Sequence, residues 1–599
     1  MPTGAGDVNP IIRDYWTAFV AALDFCRPHW ETYARLYEFW RNKRFDALNA
    51  TYSRISPAFA YASVADRLPK IYQNVFSNPD HVSVNPRTPE AQLSADSATS
   101  WLRYLLRRDI KIEQSIIPTL TSTLIGGTAY RMPYVSMVRN SNGGWSKRIF
   151  GRDIEFFHIL PCPGAGGHVN PLDKDQANAL PWLFWIDWWS EDKIKASAGQ
   201  DGFNKDEIAK MLARPGQTLY LEDSYRNRFA VIGNLTYGGP STWRPRTDAV
   251  EATKGTHQRR VVDWFQRDRH IIIREDRFVL YDGPPVFDDG TFPLVKYTIS
   301  NDLNNWFGIP YLGLVEDLIK AKTMGLNYRH DRMIMAMFPP TWMRTDIAEF
   351  ARNKGSDLRP KPYDTRFFPQ DIQNIQQLIW HDRMPEVPPD AFIEEDRMKA
   401  HEQKVGGQTE TTTSLNDVVG NKTATGVTSI MGELAARPNM ESLCFEQGFR
   451  DECQMYLSLG ARFITEPQFV QEPRSDDGFK WKTVTPDAIS AELDVETHGT
   501  QWMAENQQNF QKLLAFYPYW NQKPNFDPYE LDKLAAEAVG LGRDRIDKLI
   551  VRQNPQAPIE ATEPGEEEAM LGGMASSQDV TQSIRSVAGR SKPQSASRR

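Results

Sequence analysis

Apolar positions recur at three- and four-residue intervals over residues 11–49: Tyr15, Trp16, Phe19 and Leu23, then Tyr33, Leu36, Tyr37 and Trp40, with charged residues between them. A helix gathers that spacing onto one face, so the pattern predicts amphipathic helix, broken near Pro28 where the ring removes a backbone hydrogen bond. Further helices are expected over 88–108, with Leu93, Ala98, Trp101, Leu102 and Leu105 as the apolar stripe, and over 113–124, stopped by Gly126-Gly127. The period then shortens to two. Residues 128–135, 147–159, 182–188, 260–266, 271–274 and 278–281 alternate or are rich in β-branched and aromatic side chains, and turn signals such as Asn142-Gly143-Gly144 and Asp282-Gly283 bound them. They read as strands of a mixed α+β body. Trp182, Phe184, Ile186 and Trp188 alternate on one strand and are assigned to a core rather than to a base- or sugar-stacking surface. The polar, glycine-rich span 199–255 reads as a surface excursion.

From Gly308-Ile309-Pro310 a long helix runs to Phe338, with Tyr311, Leu314, Val315, Leu318 and Ile319 on one face and Glu316, Asp317, Lys320 and Lys322 on the other. Met333, Met335 and Met337 are assigned to helix packing. Pro339-Pro340 ends it, and a proline-rich insert to about residue 389 carries Arg344, Arg352, Lys354, Arg359 and Lys361, as a solvated face or a docking surface. Helix returns over 391–404. Gly406-Gly407 then opens a polar stretch through residue 423 with almost no apolar anchor, expected as an exposed loop. A longer helix over 424–464 is interrupted at Pro438 and should be kinked. Strand-like pieces at 479–484 and 491–497 precede a helical region over 501–552, and the polar composition from Pro555 predicts disorder.

The chain has 599 residues, 40% hydrophobic and 25% charged, so most of it has the apolar material to fold. Its net charge of −7 argues against a broad basic face that clamps DNA phosphates. Cys26, Cys162, Cys444 and Cys453 are too few and scattered for a disulfide framework or a four-thiolate zinc site, which fits a reducing compartment. On one helix Cys444 and Cys453 would stand ~13 Å apart, too far to bridge. No signal peptide or membrane span is legible, and no phosphate loop, metal-binding motif or nucleophile setting appears. Asp288-Asp289 and Asp476-Asp477 lie beside glycines and read as turn-shaping pairs. The residues therefore point to no enzyme, no cofactor and no metal.

The order of these features over roughly residues 50–465 resembles the portal proteins of tailed phages, the head-to-tail connectors. The likeness rests on Leu105-Leu106-Arg107-Arg108-Asp109, Gly126-Gly127-Thr128-Ala129-Tyr130-Arg131, Asp153-Ile154-Glu155, Pro163-Gly164-Ala165 and Ser190-Glu191-Asp192. More specific are Asp282-Gly283-Pro284-Pro285, Phe292-Pro293-Leu294 and Trp306-Phe307-Gly308-Ile309-Pro310, followed by a helix with Asn327, Arg329 and Asp331. The resemblance implies a portal-like architecture. Its parts would be a wing with N-terminal helices (1–308), stem helices (309–338 and 390–404), a small α/β clip (339–389), a tunnel loop (405–423), a kinked helix (424–464), a wing return (465–500), a helical crown (501–552) and a disordered tail (553–599).

It also implies a ring of twelve at a capsid vertex, in the virion after assembly in the host cytoplasm, through which double-stranded DNA is packaged and ejected. The terminase large subunit, and later tail adaptor proteins, would dock at the clip through Arg344, Arg352, Lys354, Arg359 and Lys361. Major capsid and scaffolding proteins would be neighbours, with no membrane involved. Thr409, Glu410, Asn416, Asp417 and Lys422 of the tunnel loop would lie nearest the duplex, Lys422 as a phosphate contact. With −7 on every copy, the channel would repel phosphate and let DNA slide. The alternative is another virion structural protein, a minor capsid or internal-core component without a channel; a nuclease using the paired aspartates ranks third.

Overall fold

A computed structural model describes residues 9–213 and 258–337, apart from positions within 46–52 and at 77–80, 140–142, 168, 174–178 and 275–276, together with 341–343, 349, 379–381, 390–406, 424–472 and 480–497. All belong to the first of two compact units, Met1–Gln508. The helices are α1 (Pro10–Trp40), α2 (Phe59–Phe76), α3 (Gln92–Tyr104), α4 (Ile112–Gly126), α5 (Glu191–Ser197), α6 (Lys205–Leu212), α7 (Tyr311–Met337), α8 (Asp390–Gly406), α9 (Ala424–Phe463) and α10 (Pro486–Ser490). The strands are β1 (Val82–Pro86), β2 (Thr128–Arg139), β3 (Trp145–Ile154), β4 (Ile159–Pro161), β5 (Trp182–Ser190), β6 (Gln258–Gln266), β7 (His270–Arg274), β8 (Phe278–Gly283), β9 (Val295–Thr298), β10 (Thr341–Met343), β11 (Ile379–His381), β12 (Gln468–Glu472), β13 (Lys480–Val484) and β14 (Leu493–Thr497). The class is α+β.

Two large cores result. In one, α1 lays Tyr15, Phe19, Ala22, Cys26 and Trp30 against the antiparallel sheet β4-β5-β6-β7-β8, with Tyr15 edge-on to Phe184 at 5.5 Å. In the other, α2, α3, α4 and the first turns of α7 surround the second half of α9, whose Phe445, Phe449, Cys453 and Tyr456 are fully buried. A three-stranded sheet, β3-β2-β9, lies between α4 and α9, and β1 pairs with β14 across more than four hundred residues of chain.

The helix and strand periods of the sequence recur in the structure, with instructive departures. Pro28 does not break α1, and Pro438 lies inside α9 without ending it. Pro28, Pro69 and Pro118 sit on the exposed sides of their helices, where water satisfies the carbonyl that loses its partner, while burial of the opposite side outweighs the ~3 kcal/mol cost. Leu93 is not part of the α3 stripe: it is 90% exposed, because α3 begins only at Gln92 and turns Ala95, Ala98, Trp101 and Leu102 inward. The start of the 199–255 excursion is not all surface, since α6 packs on β8 and buries Ile208 and Met211 in a third, small core. Helix α6 and the neighbouring α5 cover the second side of the five-stranded sheet. The tryptophan-rich strand β5 is accordingly buried on alternate positions too, at Leu183, Trp185 and Trp189 as well as Phe184 and Ile186. The turn reading of Asp288-Asp289 agrees with the geometry: Asp289 Oδ1 accepts from the amide and hydroxyl of Thr291 around Gly290, at φ +72°. Asp476-Asp477 lies outside the described residues. Helix α2 and strands β1, β9 and β12 escaped the sequence reading, although α2 places Ala60, Val64, Leu68, Ile71 and Val75 at helical spacing.

Candidate functional site

Two glycine motifs seat the long helix α7. Gly127 caps α4 at φ +81°, and a Cβ there would sit within 2.9 Å of Pro310 N and inside the carbonyl of Gly308. Gly308 in turn donates its amide to Thr128 Oγ1 at 2.8 Å. Gly126-Gly127-Thr128 and Trp306-Phe307-Gly308, far apart in sequence, thus meet backbone to backbone where only glycine allows it. Tyr311, Leu312, Val315 and Ile319 then enter the core. Glu316 goes with them and is buried rather than solvent-facing: α1 brings Arg35 onto its carboxylate, and Lys320 Nζ approaches to 2.6 Å from the next turn. Leu314, by contrast, is 45% exposed.

Farther along, α7 leaves the core and is held by polar contacts. Asn327 acts like a piece of backbone: its Oδ1 accepts from Ile55 N at 2.6 Å while its Nδ2 donates to Ile55 O at 2.7 Å. Asp331 Oδ1 accepts from Ser53 N at 2.7 Å and from the Ser53 hydroxyl. Arg329 turns the other way, pairing with Glu395 and lying 5.2 Å from the Phe392 ring of α8. Lys322 reaches Glu402 at 3.0 Å. These pairs run 322–402 and 329–395, so α7 and α8 lie side by side and antiparallel. At their far end β10 and β11 pair as the base of the 344–378 insert.

Helix α8 is weakly anchored among the described residues. From Phe392 to Val405 no described side chain is buried, and Phe392 and Ile393 are 55% and 49% exposed. On α7, Tyr328, Met333, Met335 and Met337 are equally open, so the methionines are not covered by the described residues. The helix pair therefore presents apolar residues among charged ones with no cover from the rest of the described chain.

Where α8 ends, Gly406 abuts the Tyr311 hydroxyl, which also bonds Ser63 Oγ at 3.0 Å. Beside it, buried Arg67 of α2 holds Glu441 of α9 at 2.6 Å. Helix α9 is pinned twice more. Arg131 Nε lies 3.1 Å from Glu452 Oε1, and the Tyr297 and Tyr456 hydroxyls donate to the same carboxylate. Burial works against the Arg131 charge, yet Glu452, with Tyr456, Tyr297 and Asp153, raises its pKa above the ordinary guanidinium value. One residue earlier Asp451 accepts from Asn170 Nδ2 at 2.6 Å; burial pushes its pKa up to about 6 against that bond and the charges of Arg450 and Lys296. Lys296, pulled down to about 8 by burial and supported by Asp451, donates to the Gly167 and Val169 carbonyls, both at 3.1 Å.

The ten residues singled out for the loop and the insert, Thr409, Glu410, Asn416, Asp417 and Lys422 with Arg344, Arg352, Lys354, Arg359 and Lys361, lie outside the described residues, as do residues 501–599. Around them the structure describes α7, α8, β10, β11 and α9. The burial of Glu316, the contact of Gly308 with Gly127 and the Ser53–Ile55 partners of Asn327 and Asp331 escaped the sequence reading; an asparagine and an aspartate four apart on a long helix were the available signal for the last. Among the described residues no three His, Cys, Asp or Glu side chains converge as a metal site, and no helix is long and apolar enough to cross a membrane. All four cysteines are free. No protein-family model and no curated protein sequence matches the chain.

Proposed function

We propose that this chain is a portal-type subunit, a connector that assembles as a ring around a DNA channel and offers its 339–389 insert to a packaging motor and then to tail proteins. The observation that carries this reading is α8: a 17-residue helix with no buried described side chain, laid antiparallel along α7. Isolated helices of this length are marginal in water, and two cross-helix ion pairs add little. Its stability calls for a second surface, and the open Phe392, Ile393, Met333 and Met335 supply the apolar half of one. A head-to-tail contact between identical copies uses two different faces of each subunit and closes into a ring when the rotation permits. The insert springs from the far end of the pair and α9 runs back through the body, an order that fits stem, clip and kinked helix.

Negative-stain microscopy with light scattering on the purified full-length chain tests the reading. Annular particles with a central hole and a mass roughly twelve times 68.5 kDa are expected. Persistent monomers under assembly-promoting conditions overturn it and favour a virion component without a channel. Metal-dependent DNA cleavage would favour an enzyme instead.

A further inference from the structure

Between α1, α4 and the start of β2 the body holds an open cleft of about 470 Å³. Its walls are aromatic: Tyr33 stacks on Phe156 at 4.7 Å, Tyr130 on Phe156 at 6.2 Å, and Tyr37 lies beyond Tyr33 at 6.4 Å. The charged residues that line it are Asp153 and Glu155, with side chains 40% and 55% exposed, and neither Lys nor Arg does. Arg131 pairs with Asp153 from behind at 3.6 Å and with Glu452 at 3.1 Å, so one guanidinium is shared between two carboxylates, and the His158 ring lies 3.5 Å from Glu155 and answers it only when protonated; the rim keeps a negative balance. The Tyr33 and Ser122 hydroxyls meet at 3.1 Å within the same lining and offer further polar contacts.

Carboxylates repel an anion, and the negative faces of aromatic rings reinforce them. A neutral polyol would leave the carboxylate charge unanswered, whereas a cation with an apolar or planar body satisfies both. The volume falls in the range of small-ligand sites. We propose that this cleft binds an alkylammonium or guanidinium group, with Glu155 and Asp153 taking the charge and the half-buried Tyr33 and Tyr37 the body, while buried Phe156 backs Tyr33. That group comes either from a free polyamine or from a Lys or Arg side chain of a partner segment. The site is separate from the α7–α8 surface and does not depend on ring formation.

Calorimetric titration of the full-length protein with spermidine, and separately with a capped Gly-Lys-Gly peptide, tests it. At least one probe should bind with a dissociation constant below about 1 mM, weakened roughly fivefold or more by Glu155→Gln or by Tyr37→Leu, the spread that cation–π and exposed charge contacts allow. Spermidine alone binding identifies a free polyamine as the source; the peptide alone, a partner's side chain. No binding of either probe, or affinity unchanged in both variants while thermal unfolding shows them folded, overturns the proposal.

Discussion

At the scale of single residues, the strongest constraints are places where one atom more does not fit or one charge is buried. Gly127 combines a left-handed φ of +81° with backbone contact to Gly308, so Gly127→Ala is strained twice over. A loss of about 3 kcal/mol or more is expected, read as a lower urea midpoint. Asp451 makes a pH prediction. Its folded pKa of about 6 lies above the ordinary 3.8 of an unfolded aspartate, so the folded chain takes up the proton first. The contribution is fully present below the unfolded value and is lost as pH rises through 6. Relative to Asp451→Asn, the natural chain should gain up to about 3 kcal/mol between pH 7 and pH 4, measured by denaturant unfolding at both. Gly127 was legible in sequence as a helix stop; that it also touches Gly308 was not, since local pattern says nothing of what arrives from 180 residues away.

Among the elements, helices and strands followed their hydrophobic periods closely, and the failures share a cause. Pro28 should have broken a helix on local grounds, but tertiary burial carries α1 through its proline as one helix; α9 is likewise one helix across Pro438, as a kinked helix would be. Glu316 belongs to the polar face by sequence yet is buried, because Arg35 and Lys320 answer its charge there. The pairing of α7 with α8 depends on few contacts and is correspondingly soft. Removing its two ion pairs together, Lys322→Ala with Arg329→Ala, should cost about 1 kcal/mol locally. Amide exchange over residues 392–404 should quicken about fivefold, with β5 to β7 unchanged, as read by mass spectrometry.

For the whole molecule, open apolar residues on α7 and α8 set the expectation. If copies cover one another there, Met333→Glu with Met335→Glu should convert rings to monomers by light scattering while shifting the unfolding free energy by less than about 0.5 kcal/mol, since both side chains are already wet in the single chain. The three methionines assigned to helix packing are exposed in the single chain: apolar character specifies burial, not which molecule provides it.

The sequence by itself determined the α+β class, the run of strands after Gly127, the long helix beginning after Pro310 and the second helix that follows the insert. All of these rest on periodicity and on glycine or proline punctuation, which act over a few residues. Only the tertiary structure decided that Asn327 and Asp331 hold the segment around Ser53, that Arg131 and Glu452 are buried together, that α8 lies antiparallel to α7, and that an acidic aromatic cleft opens beside α1. Each joins residues tens to hundreds of positions apart, and such a pair is selected by the packing of whole elements rather than by anything written next to it in the chain.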